Sequence, residues 1–135
     1  MGDPPKRHCE CGGGSAAARA REEIRRFVRD AVHSGHPVPS GVADTALLVA
    51  SELVTNAVRH AGGSCSLDLA WSGDGIDIDV TDPSPDPPRL RAMDPTGSMG
   101  GYGWRLVRRL AGEVDVRSTQ AGGKTIHAHV PKRAA

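Results

Sequence analysis

The apolar residues of this chain change period at Gly63, and that change limits the folds open to it. Between Ser15 and His60 they recur at three- and four-residue steps, and after Gly63 they alternate. Helical segments followed by hairpin-connected strands point to an α+β domain, a two-layer sandwich with helices packed on one face of a mostly antiparallel sheet. At 135 residues the chain is long enough for one such domain.

In the first helical segment Ala17, Ala20, Ile24, Phe27, Val28 and Ala31 share a stripe, with Arg21, Glu22, Arg25, Arg26 and Arg29 between them. It should end near Ser34-Gly35, ahead of His36-Pro37-Val38-Pro39. Ser40 or Asp44 caps a second helix that runs to about His60 and stops at Gly62-Gly63. Along it Ala46, Leu47, Ala50, Leu53, Val54, Ala57 and Val58 occupy an arc of about 140°. Glu52 and Asn56 stand one turn apart on a flank outside that arc. Leu67, Leu69 and Trp71 then alternate with Asp68 and Ala70, Ser72-Gly73-Asp74-Gly75 makes a turn, and Ile76, Ile78 and Val80 alternate with Asp77 and Asp79. Residues 83–101 have prolines and glycines but no period and read as a long functional loop. Tyr102–Ala111 reads as a short helix. A last hairpin places Val114, Val116, Ile126, Ala128 and Val130 inward, with a turn at Thr119–Gly123, and Lys124 next to it is also read as a turn residue. The other sheet face carries Asp68, Asp77, Asp79, Asp115, Arg117, His127 and His129 and should be wet. Residues 1–14 show no period and read as a flexible tail, so the domain is assigned to 15–131, with 132–135 a C-terminal tail.

Charge excludes some functions. Seventeen Lys and Arg against sixteen Asp and Glu leave +1, too little for a nucleic-acid binder working through a broad basic surface. The aromatics, Phe27, Trp71, Tyr102 and Trp104, form no stacking platform. The longest apolar segment is interrupted at Ser51 and Glu52, so no membrane span is expected. Cys9, Cys11 and Cys65 are no disulfide framework, and no signal peptide is visible, so a cytoplasmic location is expected. His8-Cys9-Glu10-Cys11 lacks the second ligand pair of a zinc site.

Three segments carry candidate chemistry. In Ser51-Glu52-Leu53-Val54-Thr55-Asn56, the Asn56 oxygen can hold Mg2+ and Glu52 can serve as a general base. Taken alone, such a pair is more often a solvated helix flank. Asp82, closing a strand before Pro83, can accept a hydrogen bond from an exocyclic amine such as that of adenine, although an Asp before Pro more often just starts a turn. Gly97-Ser98-Met99-Gly100-Gly101-Tyr102-Gly103, opening a helix, can bring backbone N–H groups to phosphate oxygens. It has neither P-loop nor dinucleotide-fingerprint spacing.

In combination and in this order, with Gly122-Gly123-Lys124-Thr125 in the last hairpin, these segments resemble the ATP-binding fold shared by gyrase B, Hsp90, histidine kinases and MutL. More narrowly the chain looks like the small anti-sigma-factor kinase branch, with Glu52–His60 as the most specific string. The resemblance covers residues 16–130. It implies Glu52 as the base for phosphoryl transfer, Asn56 as the Mg2+ ligand, Asp82 as the adenine contact, Gly101 and Gly103 as phosphate contacts, and Thr125 as a further contact near the adenine. It implies ATP and Mg2+ as ligands, and a protein serine/threonine kinase that phosphorylates an anti-anti-sigma partner and sequesters a sigma factor, with a homodimer among the expectations. His60 is read as structural or near the phosphates. The alternative is a nucleotide-responsive binding module without catalysis. Two departures favour that alternative: Met99 stands where sporulation-type members carry a basic residue, and the family's first strand is not visible in residues 1–14. A histidine-kinase catalytic fragment is disfavoured because no helix with a phosphoacceptor His precedes the domain.

Overall fold

The computed structural model describes residues 4–60, 63–85 and 101–132. Its elements are β1 (Lys6–Gly12), α1 (Ala16–His33), α2 (Ser40–His60), β2 (Ser64–Trp71), β3 (Gly75–Asp82), α3 (Gly101–Leu110), β4 (Glu113–Ser118) and β5 (Lys124–Pro131). The strands form one sheet in the order β1-β2-β3-β5-β4, with every pairing antiparallel. α1 and α2 pack on each other and on one sheet face, and α3 packs on α2. The expected α+β sandwich is therefore the architecture found.

The stripes do the work their spacing implies. Ile24 and Phe27 of α1 and Val49, Leu53 and Val54 of α2 are fully buried against Leu67, Leu69, Ile76, Ile78, Val80 and Ile126 of the sheet. By length and composition α2 could also cross a membrane. Here Ala46, Val49, Ala50, Leu53, Val54 and Ala57 are all buried in the domain core.

Two expectations about the sheet are corrected. Residues 1–14 are not all tail, because Lys6–Gly12 pairs with β2 along its whole length, Lys6 opposite Ala70 and Gly12 opposite Ser64. Its inward residues are Arg7, Cys9 and Cys11, an alternation hidden because only cysteines mark it. Arg7 also reaches α1, donating to Glu23 at 2.7 Å and Asp30 at 3.2 Å. The bond to Glu23 makes the Arg7 guanidinium still harder to deprotonate, against the opposing effect of its burial. The second correction is Val116, which lies in the same cross-strand row as Ile126 but is 40% exposed. It stands on β4, the edge strand of the sheet.

Chain direction decides which ends meet. α2 ends just before β2 begins, β3 ends antiparallel to β2, and β5 begins opposite the end of β3, with Asp82 the cross-strand partner of Lys124. α3 ends at the opposite edge, where the Gly112 N–H donates to the His129 carbonyl at 2.8 Å. Its N-terminus therefore points back toward the Asp82 end, with about 15 Å of helix between the two.

Candidate functional site

The end of the sheet that gathers these termini carries a cross-strand row unlike the rest of the covered face. Registers place Cys11, Cys65, Asp82, Lys124 and Ser118 side by side, where the next row inward reads Cys9, Leu67, Val80, Ile126 and Val116. Polar and sulfur groups thus replace aliphatic ones at one edge of the core.

Asp82 is the centre of that row and is only 3% exposed. Its Oδ1 accepts from Lys124 Nζ at 3.0 Å and from the Ser84 backbone N–H at 2.9 Å. Lys124 Nζ lies 3.0 Å from Oδ2 as well, so the buried ammonium approaches both oxygens of the carboxylate. The turn reading of Asp82-Pro83 has its bond in the Ser84 N–H on Oδ1. A cleft of about 350 Å³ opens here, with Cys11, Cys65, Thr81, Asp82, Pro83 and Thr119 in its walls.

The two thiols in that wall are poor nucleophiles. Burial, reinforced by the Cys9 thiol, pushes Cys11 up to about 12, and burial with the nearby Asp82 charge pushes Cys65 up to about 11. Cys9 and Cys11 have sulfurs 3.5 Å apart. No group of three or more His, Cys, Asp or Glu side chains that could hold a metal ion forms among the described residues.

Glu52 and Asn56 are half-buried on α2, and neither side chain has a hydrogen-bond or ion-pair partner among the described residues. Asn56 stands in the last third of α2 and Glu52 one turn earlier, near the middle of the helix. Gly101 and Gly103 form the first turn of α3, whose N-terminus faces the Asp82 end. The α2 C-terminus, Asp82 and the α3 N-terminus thus share one end of the fold, and neither Glu52 nor Asn56 lines the cleft.

Thr125 does not line the cleft itself, but its hydroxyl lies on the open sheet face 2.7 Å from that of Thr81, a residue of the cleft wall, while Lys124 turns inward. The reading of Lys124 as a turn residue is corrected accordingly: it is the first residue of β5 and 5% exposed. Strand parity carries the signal for both, since Ile126, Ala128 and Val130 face inward and counting back by two reaches Lys124 and leaves Thr125 outside. Gly123 permits the approach, because a Cβ there would collide with the Asp82 carbonyl oxygen. Met99, Arg89, Arg91, the 86–100 part of the loop and the His60 side chain lie outside the described residues.

The chain belongs to the histidine kinase-like ATPase domain family, whose model matches residues 14–129. In fold it is similar to the crystal structure of the RsbU and RsbW domains of Rv1364c from Mycobacterium tuberculosis, with a TM-score of 0.67 at 19% identity. The match covers 94% of this chain and 32% of that one. No curated protein matches the chain in sequence.

Proposed function

We propose that this chain is an ATP-binding anti-sigma regulator of the cytoplasm that phosphorylates a serine or threonine of an anti-anti-sigma partner and sequesters a sigma factor. The observation that carries the reading is the nearly sealed carboxylate of Asp82 in the wall of the cleft, in a chain of the histidine kinase-like ATPase family. A carboxylate oxygen can accept from an exocyclic amine. The N-terminal N–H groups of α3, with glycine at 101 and 103, suit phosphate oxygens. The donor set also fits Mg2+, since Asn56 offers a hard oxygen with no competing partner among the described residues and Glu52 adds charge one turn away. When bound, that ion would neutralise phosphate charge. The residues themselves position the nucleotide, and Glu52 would accept the proton of the attacking hydroxyl.

The nucleotide-responsive binding module is the second reading. One of its two supports is removed by β1, which supplies the first strand that reading takes as missing. The experiment that separates them is transfer of labelled phosphate from ATP to candidate anti-anti-sigma partners. Glu52→Gln is expected to slow transfer by about 10²–10⁴-fold with ATP binding retained. Equal transfer by wild type and variant removes Glu52 from the mechanism. A cognate partner that binds but is never phosphorylated moves the protein to the second reading.

A further inference from the structure

β4 is an edge strand, and the parity of its hydrogen bonds decides which of its backbone groups are free. The Thr119 N–H donates to the Gly123 carbonyl at 3.0 Å in continuation of the β4–β5 register, so the odd-numbered residues of β4 are those bonded to β5. The bond from the Lys132 N–H to the Asp74 carbonyl gives the same parity from the other side, because it assigns the even-numbered residues of β5 to β3. The N–H and C=O groups of Val114, Val116 and Ser118 therefore point out of the sheet, and among the described residues no strand takes them up. The side chains of this edge match a copy of themselves. Val116 is 40% exposed on the covered face, and on the open face Arg117 Nε donates to Asp115 Oδ1 at 3.0 Å. When a second β4 is laid antiparallel on the first, free groups meet free groups only if an even-numbered residue sits on the two-fold axis, and the central one is Val116. That register sets Val116 against Val116, Val114 against Ser118, and Asp115 against Arg117 on both sides of the axis. Asp115 and Arg117 then form the non-hydrogen-bonded pairs, whose Cα atoms stand about 4.5 Å apart, so opposite charges of the two copies meet closely. The β1 edge has no such match, since Cys9 and Cys11 on its covered face are already buried and an added strand would cover nothing apolar.

We propose that two copies of this chain pair through β4, antiparallel about Val116, into one sheet that runs across both. The contact is isologous, so it closes at two copies and does not propagate. It covers the exposed valine and removes an open sheet edge, a feature that invites pairing with another chain. A strand of six residues buries little surface, so the pairing is weak and depends on concentration. No residue of the nucleotide site takes part, and the dimer stands or falls without it.

Sedimentation velocity on the full chain, over about 1–500 μM, tests this. Wild type is expected to pass from monomer to dimer within that range and to go no further. Val116→Pro removes an N–H that only the second copy would use, and an edge strand tolerates proline where its N–H faces outward. It is expected to weaken association by about tenfold or more. Asp115→Arg and Arg117→Asp each set like charges against each other across the axis, and each alone is expected to weaken association by about tenfold. Mixed in equal amounts, these two variants regain opposite charges at every cross-copy pair and should associate as wild type does. If Val116→Pro does not fold, the charge variants still decide. A wild type that stays monomeric to about 500 μM overturns the proposal and leaves the edge for a strand of another protein. A dimer indifferent to all three substitutions, a mixture of the charge variants that stays monomeric, or growth beyond the dimer overturns it too.

Discussion

The two faces of the sheet hold the same kind of contact with opposite consequences. On the covered face Lys124 meets Asp82 at 3.0 Å, and the pair is nearly sealed from solvent. On the open face His8 meets Asp68 at 2.6 Å, His127 meets Asp79 at 2.6 Å and His129 meets Asp77 at 2.8 Å, each in reach of water. The shorter contacts are the weaker ones in effect, because water screens an exposed pair and competes for its hydrogen bonds. In the buried pair, each charge depends on the other. Distance alone therefore misranks them, and burial decides which pair the fold cannot lose.

The sharpest way to break this comparison is to remove one cation from each face. Lys124→Met strands a carboxylate in the core and is expected to lower unfolding free energy by about 3–5 kcal/mol in urea denaturation. His8→Ala should leave the denaturation midpoint where it was. A Lys124→Met midpoint equal to wild type would show that the buried pair is not what secures this end of the sheet.

A second contrast uses a single cross-strand row. Ile126 is 1% exposed and its partner Val116 40% exposed. Ile126→Ala is expected to cost about 2–5 kcal/mol through lost burial and the cavity left behind. Val116→Ala, on the edge strand, is expected to change stability by no more than about 0.5 kcal/mol. Comparable losses at both positions would mean that something covers β4.

The smallest effect belongs to the open face and depends on pH. The hydrogen bond to Asp68, reinforced by its charge and that of Glu10, raises the pKa of His8 above the ordinary 6.5. A raised folded value means the fold favours the protonated ring. That contribution is complete below about 6.5 and fades as pH rises through the higher folded value. Asp68→Asn should thus lower the thermal midpoint slightly at pH 6, with the difference from wild type shrinking by pH 8. A difference that grows with pH would contradict the assignment.

Much of this was legible in the sequence, and the misses have physical reasons. The two main helices and both hairpins are marked by long runs of Leu, Ile, Val and Ala whose period is unmistakable, and their bounds fall within a residue or two of those expected. β1 has the same alternation, but its inward positions are Arg7, Cys9 and Cys11, which no hydrophobic pattern flags. Its place in the sheet comes from pairing with β2 and from Arg7 reaching Glu23, both long-range. Lys124 was hidden differently. Glycines before it suggest a turn, while the alternation after it already places it inward and Thr125 outward. Asp82 was readable as a residue of interest, but its pairing with Lys124 across the strands and its bond from the Ser84 N–H are facts of three dimensions.

The central claim is that the Asp82 end of the fold binds ATP with Mg2+, and calorimetry tests it most directly. At protein concentrations near ~100 μM the wild type is expected to give saturable heat with ATP and Mg2+, with Asn56→Ala weakening the magnesium complex and Asp82→Asn lowering selectivity for adenine. Absence of heat with both ATP and ADP would place Kd above the millimolar range, about −4 kcal/mol, and would contradict the account.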